Sequence, residues 1–219
     1  MNSANTQGDL KTLFHESGHA MHDVLCSRLP NMFTNYPMEM AEVASMSMEL
    51  ISMGKWGHFY NDHDLQRAKL RQLENLLDVL PRISIIDSFQ YRLYKNPTHT
   101  IEERDAKFSE LLETYEPWID RSDYKHFEKK RRQPQMHIFE IPFYYIEYGI
   151  AQLASLGIRK NYMTNPQEGL EKYKAALSLG YSKKLPTLYE TAGISFDFSP
   201  ARIKELADFV RAEREKLTK

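Results

Sequence analysis

One pentapeptide, His15-Glu16-Ser17-Gly18-His19, restricts the local backbone more than any other feature of the 219-residue sequence. Its pattern is H-E-x-x-H. Side chains four residues apart project from the same face of an α-helix, so both imidazoles can converge on one tetrahedral metal ion. Glu16 can then reach a water in the metal's open position and act as general base. The pattern predicts a helix that carries a zinc site formed by His15 and His19. Two hydrogen-bonded core histidines are the alternative interpretation.

Apolar spacing around the pentapeptide and along the rest of the chain is helical. Asp9 is a plausible N-cap for the first helix, and Pro30 ends the run of apolar residues that follows it. Pro81 is expected to break or kink a later helix. Similar patterns predict helices over about 38–60, 63–80, 83–94 and 101–115, and further helices that start at Pro166 and Pro200. No series of strands is apparent, so the predicted class is mainly α.

Composition excludes several classes of protein. The formal net charge is −1, and the run Lys129 to Arg132 is expected to be a solvated face, so we expect no nucleic-acid partner. No apolar run approaches the roughly 18 residues of a membrane span, and we expect no membrane partner. The single cysteine, Cys26, cannot form an internal disulfide, which fits a reducing compartment. The predicted location is cytoplasmic.

A third metal ligand would distinguish the classes of zinc peptidase. The extended pattern H-E-x-x-H-x-x-G-x-x-H requires glycine at 22 and histidine at 25, where this chain has His22 and Leu25. A glutamate from a following helix is the alternative. The next predicted helix offers three, Glu39, Glu42 and Glu49. Glu42 and Glu49 share a helix face, which favours them only slightly over Glu39.

The segment from His137 to Gly149 contains three tyrosines, Tyr144, Tyr145 and Tyr148. Phenols and a histidine suit the stabilisation of an oxyanion, because they donate hydrogen bonds without carrying a permanent negative charge. The alternative is that these aromatic rings pack a helix interface with their hydroxyls at its edge. The preceding H-E-x-x-H pattern favours the catalytic interpretation.

Three ordered blocks together resemble the thimet oligopeptidase and oligoendopeptidase F family of zinc metallopeptidases. The blocks are Thr12 to His22, which contains the pentapeptide; Glu42 to Glu49, similar to E-x-x-S-x-x-x-E; and His137 to Tyr148. The ending, Tyr189 to Phe196, is most similar to oligoendopeptidase F. The resemblance therefore runs along nearly the whole chain.

This resemblance implies a multi-helix, zincin-like catalytic domain and a zinc-dependent endopeptidase that acts on short peptides. It assigns the third zinc-ligand role to Glu42 and a supporting role to Glu49. It places His137 and Tyr148, with Tyr145 as a further candidate, in the substrate cleft as catalytic residues beside Glu16. Spacing differs slightly within the family, so the choice of Tyr145 and Tyr148 over Tyr144 is a judgement.

Members of this family usually carry a large helical region before the zinc motif. We therefore expect residues 1–219 to be a single catalytic region, the carboxy-terminal portion of a longer enzyme, with the amino-terminal region of that enzyme as a partner. Two alternatives follow. The chain could be a catalytically inactive zinc-binding fragment or interaction module, or a metal-free helical scaffold.

Overall fold

The computed structural model describes residues 2–218, and these contain helices and no strand, so the mainly α prediction is confirmed. Short 3₁₀ segments join several of the helices. The ten α-helices of the described residues are α1 Gln7–Cys26, α2 Met38–Ser52, α3 Asp62–Lys95, α4 Ile101–Tyr115, α5 Lys125–Glu128, α6 His137–Glu140, α7 Ile146–Thr164, α8 Pro166–Leu177, α9 Leu185–Thr191 and α10 Pro200–Thr218.

The chain forms two compact units. The first contains the described residues up to Glu74 together with those from Ile150 onward. Helix α2 lies in its core, and Val43, Ala44 and Leu50 are almost completely buried. The Tyr173 hydroxyl donates to the Ala44 carbonyl oxygen at 2.6 Å, which joins α8 to α2. These contacts hold α2, the helix that carries Glu42 and Glu49, in the core of the first unit.

The second unit is Asn75–Gly149. Its core joins the later part of α3 to α4, where the rings of Phe89 and Phe108 meet edge to face with centroids 5.1 Å apart. Ile138 on α6 is also buried in this cluster, and Tyr145 packs against it. The apolar side chain of Ile138 therefore anchors the short helix that carries His137.

Two local predictions, an N-cap at Asp9 and a helix break at Pro81, were wrong. The N-cap of α1 is Thr6, and Asp9 is the third residue of the helix, where it closes a capping box with Thr6. A Thr-x-x-Asp pattern satisfies two free backbone N–H groups at once, which a single cap at Asp9 would not. Pro81 lies inside α3 without ending it. The buried apolar residues on both sides of Pro81, Leu76 and Ile83, stabilise the helix across that position.

The run from Lys129 to Arg132 is not wholly a solvated face. Arg132 is buried, and its guanidinium donates to Asp105 Oδ1 at 2.6 Å. A buried charge requires such a partner, so this arginine has a structural role that its sequence neighbours did not reveal. Among the described residues, no helix has the length and apolar character needed to cross a bilayer.

Candidate metal centre and aromatic cluster

Helices α1 and α2 approach each other closely at Gly18. A Cβ atom at this position would lie 2.5 Å from the Ser45 Cα and 2.8 Å from the Ala44 carbonyl oxygen. Real carbon atoms do not approach this closely, so only glycine allows the observed packing. The contact brings the histidine face of α1 against the glutamate face of α2.

Three of the predicted site residues lie together in the first unit. One ligand atom from each of His15, His19 and Glu42 lies within 4.8 Å of the others. The Nε2 atoms of the two histidines are 3.3 Å apart, and His15 Nε2 is 3.6 Å from Glu42 Oε2. Zinc–nitrogen bonds of about 2.0–2.1 Å in a tetrahedron separate two nitrogen ligands by about 3.3–3.4 Å. The donor types and the separation of the two histidine nitrogens therefore fit a zinc ion.

Glu49 contacts the other nitrogen of the same imidazole. His15 Nδ1 lies 2.7 Å from Glu49 Oε1, a hydrogen bond in which the nitrogen donates to the carboxylate. In the neutral ring this leaves Nε2 without a proton and able to bind a metal. Glu42 and Glu49 thus face opposite edges of the His15 ring. Glu39 is not part of this cluster.

Sequence reasoning missed two residues that hold Glu49. Gln72, which is buried on α3, donates to Glu49 Oε2 at 2.9 Å, and Lys11 Nζ lies 3.5 Å from the same oxygen. No pattern in the sequence marked either residue. Ser45 also supports the site, because its hydroxyl lies 3.3 Å from Glu42 Oε2.

The surroundings of His15 favour its positively charged form. Burial disfavours the imidazolium, but the hydrogen bond to Glu49 and the charges of Glu49 and Glu42 outweigh that effect and raise the pKa of His15. Glu16, which is exposed on α1, contributes in the same direction. A site with this negative potential favours a cation.

His22 has a different environment from the two site histidines. It is buried, and its ring stacks on Tyr36 with centroids 3.6 Å apart. Burial lowers the pKa of His22 to about 4, so the ring is neutral under ordinary conditions. His22 is therefore a core residue of α1.

The remaining predicted residues lie together in the second unit. His137 is on α6, Tyr144 and Tyr145 precede α7, and Tyr148 is on its first turn. The centroid of the His137 ring lies 5.0 Å from that of Tyr145, 5.6 Å from Tyr148 and 5.9 Å from Tyr144. All three tyrosines therefore surround the same imidazole. We refer to His137, Tyr144, Tyr145 and Tyr148 as the aromatic cluster.

A strained backbone residue directs the chain into this cluster. Phe143 has a φ of +62°, in the left-handed region that side chains of its size rarely adopt. Its ring packs against Tyr94, with centroids 5.0 Å apart. Such a conformation costs about 1–3 kcal/mol and persists where the surrounding structure requires it. Here it turns the chain between Pro142 and Tyr144.

Comparisons with known proteins show which proteins this chain is similar to. An oligoendopeptidase F homolog from Borreliella burgdorferi is 25% identical over 181 residues, which are 80% of this chain and 30% of that protein. The structure of PZ peptidase A with an inhibitor is 27% identical, with a TM-score of 0.90 over 98% of this chain and 38% of the other. A solved chain described as oligoendopeptidase F has a TM-score of 0.88 and 27% identity, over 96% of this chain and 37% of that one.

The curated relatives are longer proteins, of which this chain spans 25% to 33%. The family model described as peptidase family M3 matches residues 1–208. That match covers nearly the whole sequence, and the resemblance to oligoendopeptidase F is confirmed. The chain belongs to peptidase family M3.

Proposed function

We propose that this chain is the catalytic region of a zinc-dependent metalloendopeptidase that hydrolyses short peptides. One observation carries the proposal: the ligand atoms of His15, His19 and Glu42 lie within 4.8 Å of one another, and the two histidine nitrogens have the 3.3 Å separation that suits tetrahedral zinc. The hydrogen bond between His15 Nδ1 and Glu49 supports it, because metal-binding histidines usually donate their other nitrogen to a carboxylate or carbonyl.

A zinc ion at these residues would polarise the scissile carbonyl and lower the pKa of water. Glu16 would accept a proton from the attacking water and deliver it to the leaving amine. Its position next to His15 on an exposed part of α1 suits a group that exchanges protons with substrate. His137 and Tyr148, with Tyr145 as a further donor, would donate hydrogen bonds to the oxyanion or position the peptide.

Short peptides are the proposed substrates because relatives of this chain are named oligoendopeptidase F. We further propose that residues 1–219 act as one catalytic region and that an amino-terminal region is the partner that completes the enzyme, since the relatives are longer than this chain. A cytoplasmic location is proposed from the single cysteine, Cys26.

The test is hydrolysis of a quenched fluorescent peptide by the zinc-loaded chain and by Glu16→Gln. Loss of a general base typically costs about 10²–10⁴-fold in rate. We expect Glu16→Gln to bind zinc as the wild type does and to lose at least about 10²-fold in kcat. Glu39→Gln, a glutamate outside the metal cluster, is the control and should retain activity. Full activity of Glu16→Gln would overturn the mechanism.

Zinc binding without peptide cleavage is the second outcome of this test. If the wild-type chain binds one zinc ion but cleaves nothing, the chain is a zinc-binding module that requires further polypeptide for catalysis. The same peptide assay, repeated with the amino-terminal region of a longer relative added in trans, would then separate a missing partner from a site that has lost its activity.

A further inference from the structure

A side-chain amide holds the imidazole at the centre of the aromatic cluster. Gln135 Nε2 lies 2.8 Å from His137 Nδ1. Gln135 is half-buried and fixed by its own backbone, because its N–H donates to the Arg132 carbonyl and its carbonyl accepts from the Ile138 N–H. The buried Ile138 side chain anchors the same turn. The backbone that carries the amide is thus hydrogen-bonded on both sides within the second unit.

The chemistry of this contact determines where the ring carries its proton. An amide nitrogen can only donate, so His137 Nδ1 must accept. A neutral imidazole has one protonated nitrogen and one acceptor nitrogen, and when Nδ1 accepts, the proton is on Nε2. The contact with Gln135 therefore selects the Nε2–H tautomer of His137.

The selected N–H points toward the phenols. His137 Nε2 lies 3.4 Å from the Tyr148 hydroxyl oxygen, longer than the usual 2.7–3.2 Å of a strong hydrogen bond. This N–H is consequently held only weakly by its protein neighbour. It is able to donate to an incoming oxygen while the ring is uncharged.

We infer that Gln135 is a positioning residue that fixes His137 as a neutral hydrogen-bond donor through Nε2. That this N–H donates to a peptide oxyanion rests on the proposed function. The position of the proton on the ring does not depend on that function. No part of the inference requires bound metal, because both residues lie in the second unit and the contact is complete within it.

The experiment is ¹⁵N-histidine NMR of the full chain, which records the protonation of each ring nitrogen well above the pH range in which histidines ordinarily titrate. The His137 signals are identified as those missing from the spectrum of His137→Gln. The informative variant is Gln135→Glu, which has the same size but presents only acceptor atoms. The matched control is Gln133→Glu, which places the same charge on an exposed residue two positions away.

We expect the Nε2–H tautomer in the wild type and in Gln133→Glu, and a shift to the Nδ1–H tautomer in Gln135→Glu. A purely structural role for Gln135 would leave the tautomer unchanged in that variant. Finding Nδ1–H in the wild type, or the same tautomer in all three proteins, would overturn the inference. If Gln135→Glu fails to fold, as judged by circular dichroism, the wild-type tautomer alone decides the question.

Activity provides a second readout. In an active preparation, Gln135→Glu is expected to lower kcat by up to about 10²-fold with little change in KM, since loss of an oxyanion donor affects the transition state. If the tautomer shifts as expected while no form cleaves peptide, the inference stands and the proposed function fails. If cleavage is zinc-dependent but unaffected by a shifted tautomer, the function stands, and His137 is not the oxyanion donor.

Discussion

The close contact at Gly18 makes Gly18→Ala the sharpest test of how the two site helices are held. The added Cβ would lie 2.5 Å from the Ser45 Cα, whereas carbon atoms pack optimally at about 3.5–4.0 Å. Helices α1 and α2 would have to separate by about 1 Å, because the atoms in contact belong to the backbone and cannot rotate away. Overpacking of this kind costs about 1–3 kcal/mol.

Part of that cost is offset by helix propensity. Alanine is favoured over glycine within a helix by up to about 1 kcal/mol. With the cost of overpacking near the upper end of its range, the net loss in the free energy of unfolding is about 2 kcal/mol. The matched control is Gly8→Ala in the same helix, where the nearest atom to a new Cβ is Thr6 Oγ1 at 3.5 Å. That variant should be as stable as the wild type or more stable by up to about 1 kcal/mol.

The same displacement should weaken the metal site. Metal–ligand distances tolerate only about 0.2 Å of error, so a separation of about 1 Å between His15 on α1 and Glu42 on α2 should raise the zinc Kd at least about tenfold. Stability is measured by urea denaturation with a chelator present, which removes stabilisation by bound metal. Zinc affinity is measured by competition with a chromophoric chelator. If Gly18→Ala is as stable as Gly8→Ala and its zinc Kd is unchanged, Gly18 does not set the separation of α1 and α2.

Three further predictions concern buried polar groups. Glu49→Gln removes the carboxylate that accepts a hydrogen bond from His15. This variant should bind zinc about 10–100-fold more weakly while its circular dichroism spectrum stays unchanged. An unaltered zinc affinity in a competition titration would contradict the supporting role of Glu49. His22 titrates near 6.5 when unfolded and near 4 when folded, so the unfolded state binds more protons between these values. Stability should therefore fall by about 3 kcal/mol as the pH drops through that window, and urea denaturation of His22→Phe should lack this component. Arg159 pairs with Glu213 at 3.3 Å in a buried position. Replacing Arg159 by leucine should lower the free energy of unfolding by about 3–5 kcal/mol, as measured by denaturation. The control Lys160→Ala removes a surface ion pair with Glu205 and should change stability by less than about 1 kcal/mol. Equal effects of the two substitutions would exclude a buried charge as the cause.

Much of the helical architecture was predictable because its signals are local. Periodic apolar residues and prolines at first turns act within a few residues, so α8 begins at Pro166 and α10 at Pro200 as expected. The error at Asp9 arose because a capping box involves two residues, and only the upstream one is the N-cap. Pro81 was misjudged because the tertiary packing of α3 outweighs the hydrogen bond that proline removes.

The site was predictable only in part. Helical spacing places His15 and His19 on one face, but it cannot distinguish Glu42 from Glu49, which share a face on the next helix. Their different positions depend on how closely α1 packs against α2. Gly18 determines that separation through its contact with the backbone of Ala44 and Ser45, which are distant in sequence. Gln72 and Gln135 were missed for a related reason. Their amide groups have roles only through contacts that the fold creates, and a lone glutamine has no recognisable pattern.

Zinc stoichiometry and affinity are the direct tests of a metal site formed by His15, His19 and Glu42. They should be measured by metal analysis and competition titration on the wild type, Glu42→Gln and the control Glu39→Gln. We expect one zinc ion per chain in the wild type and in Glu39→Gln. Binding should be at least about 100-fold weaker in Glu42→Gln, which loses a ligand rather than a supporting group. A wild-type chain without zinc, or a Glu42→Gln variant that binds zinc as tightly as the control, would contradict the proposed metal site.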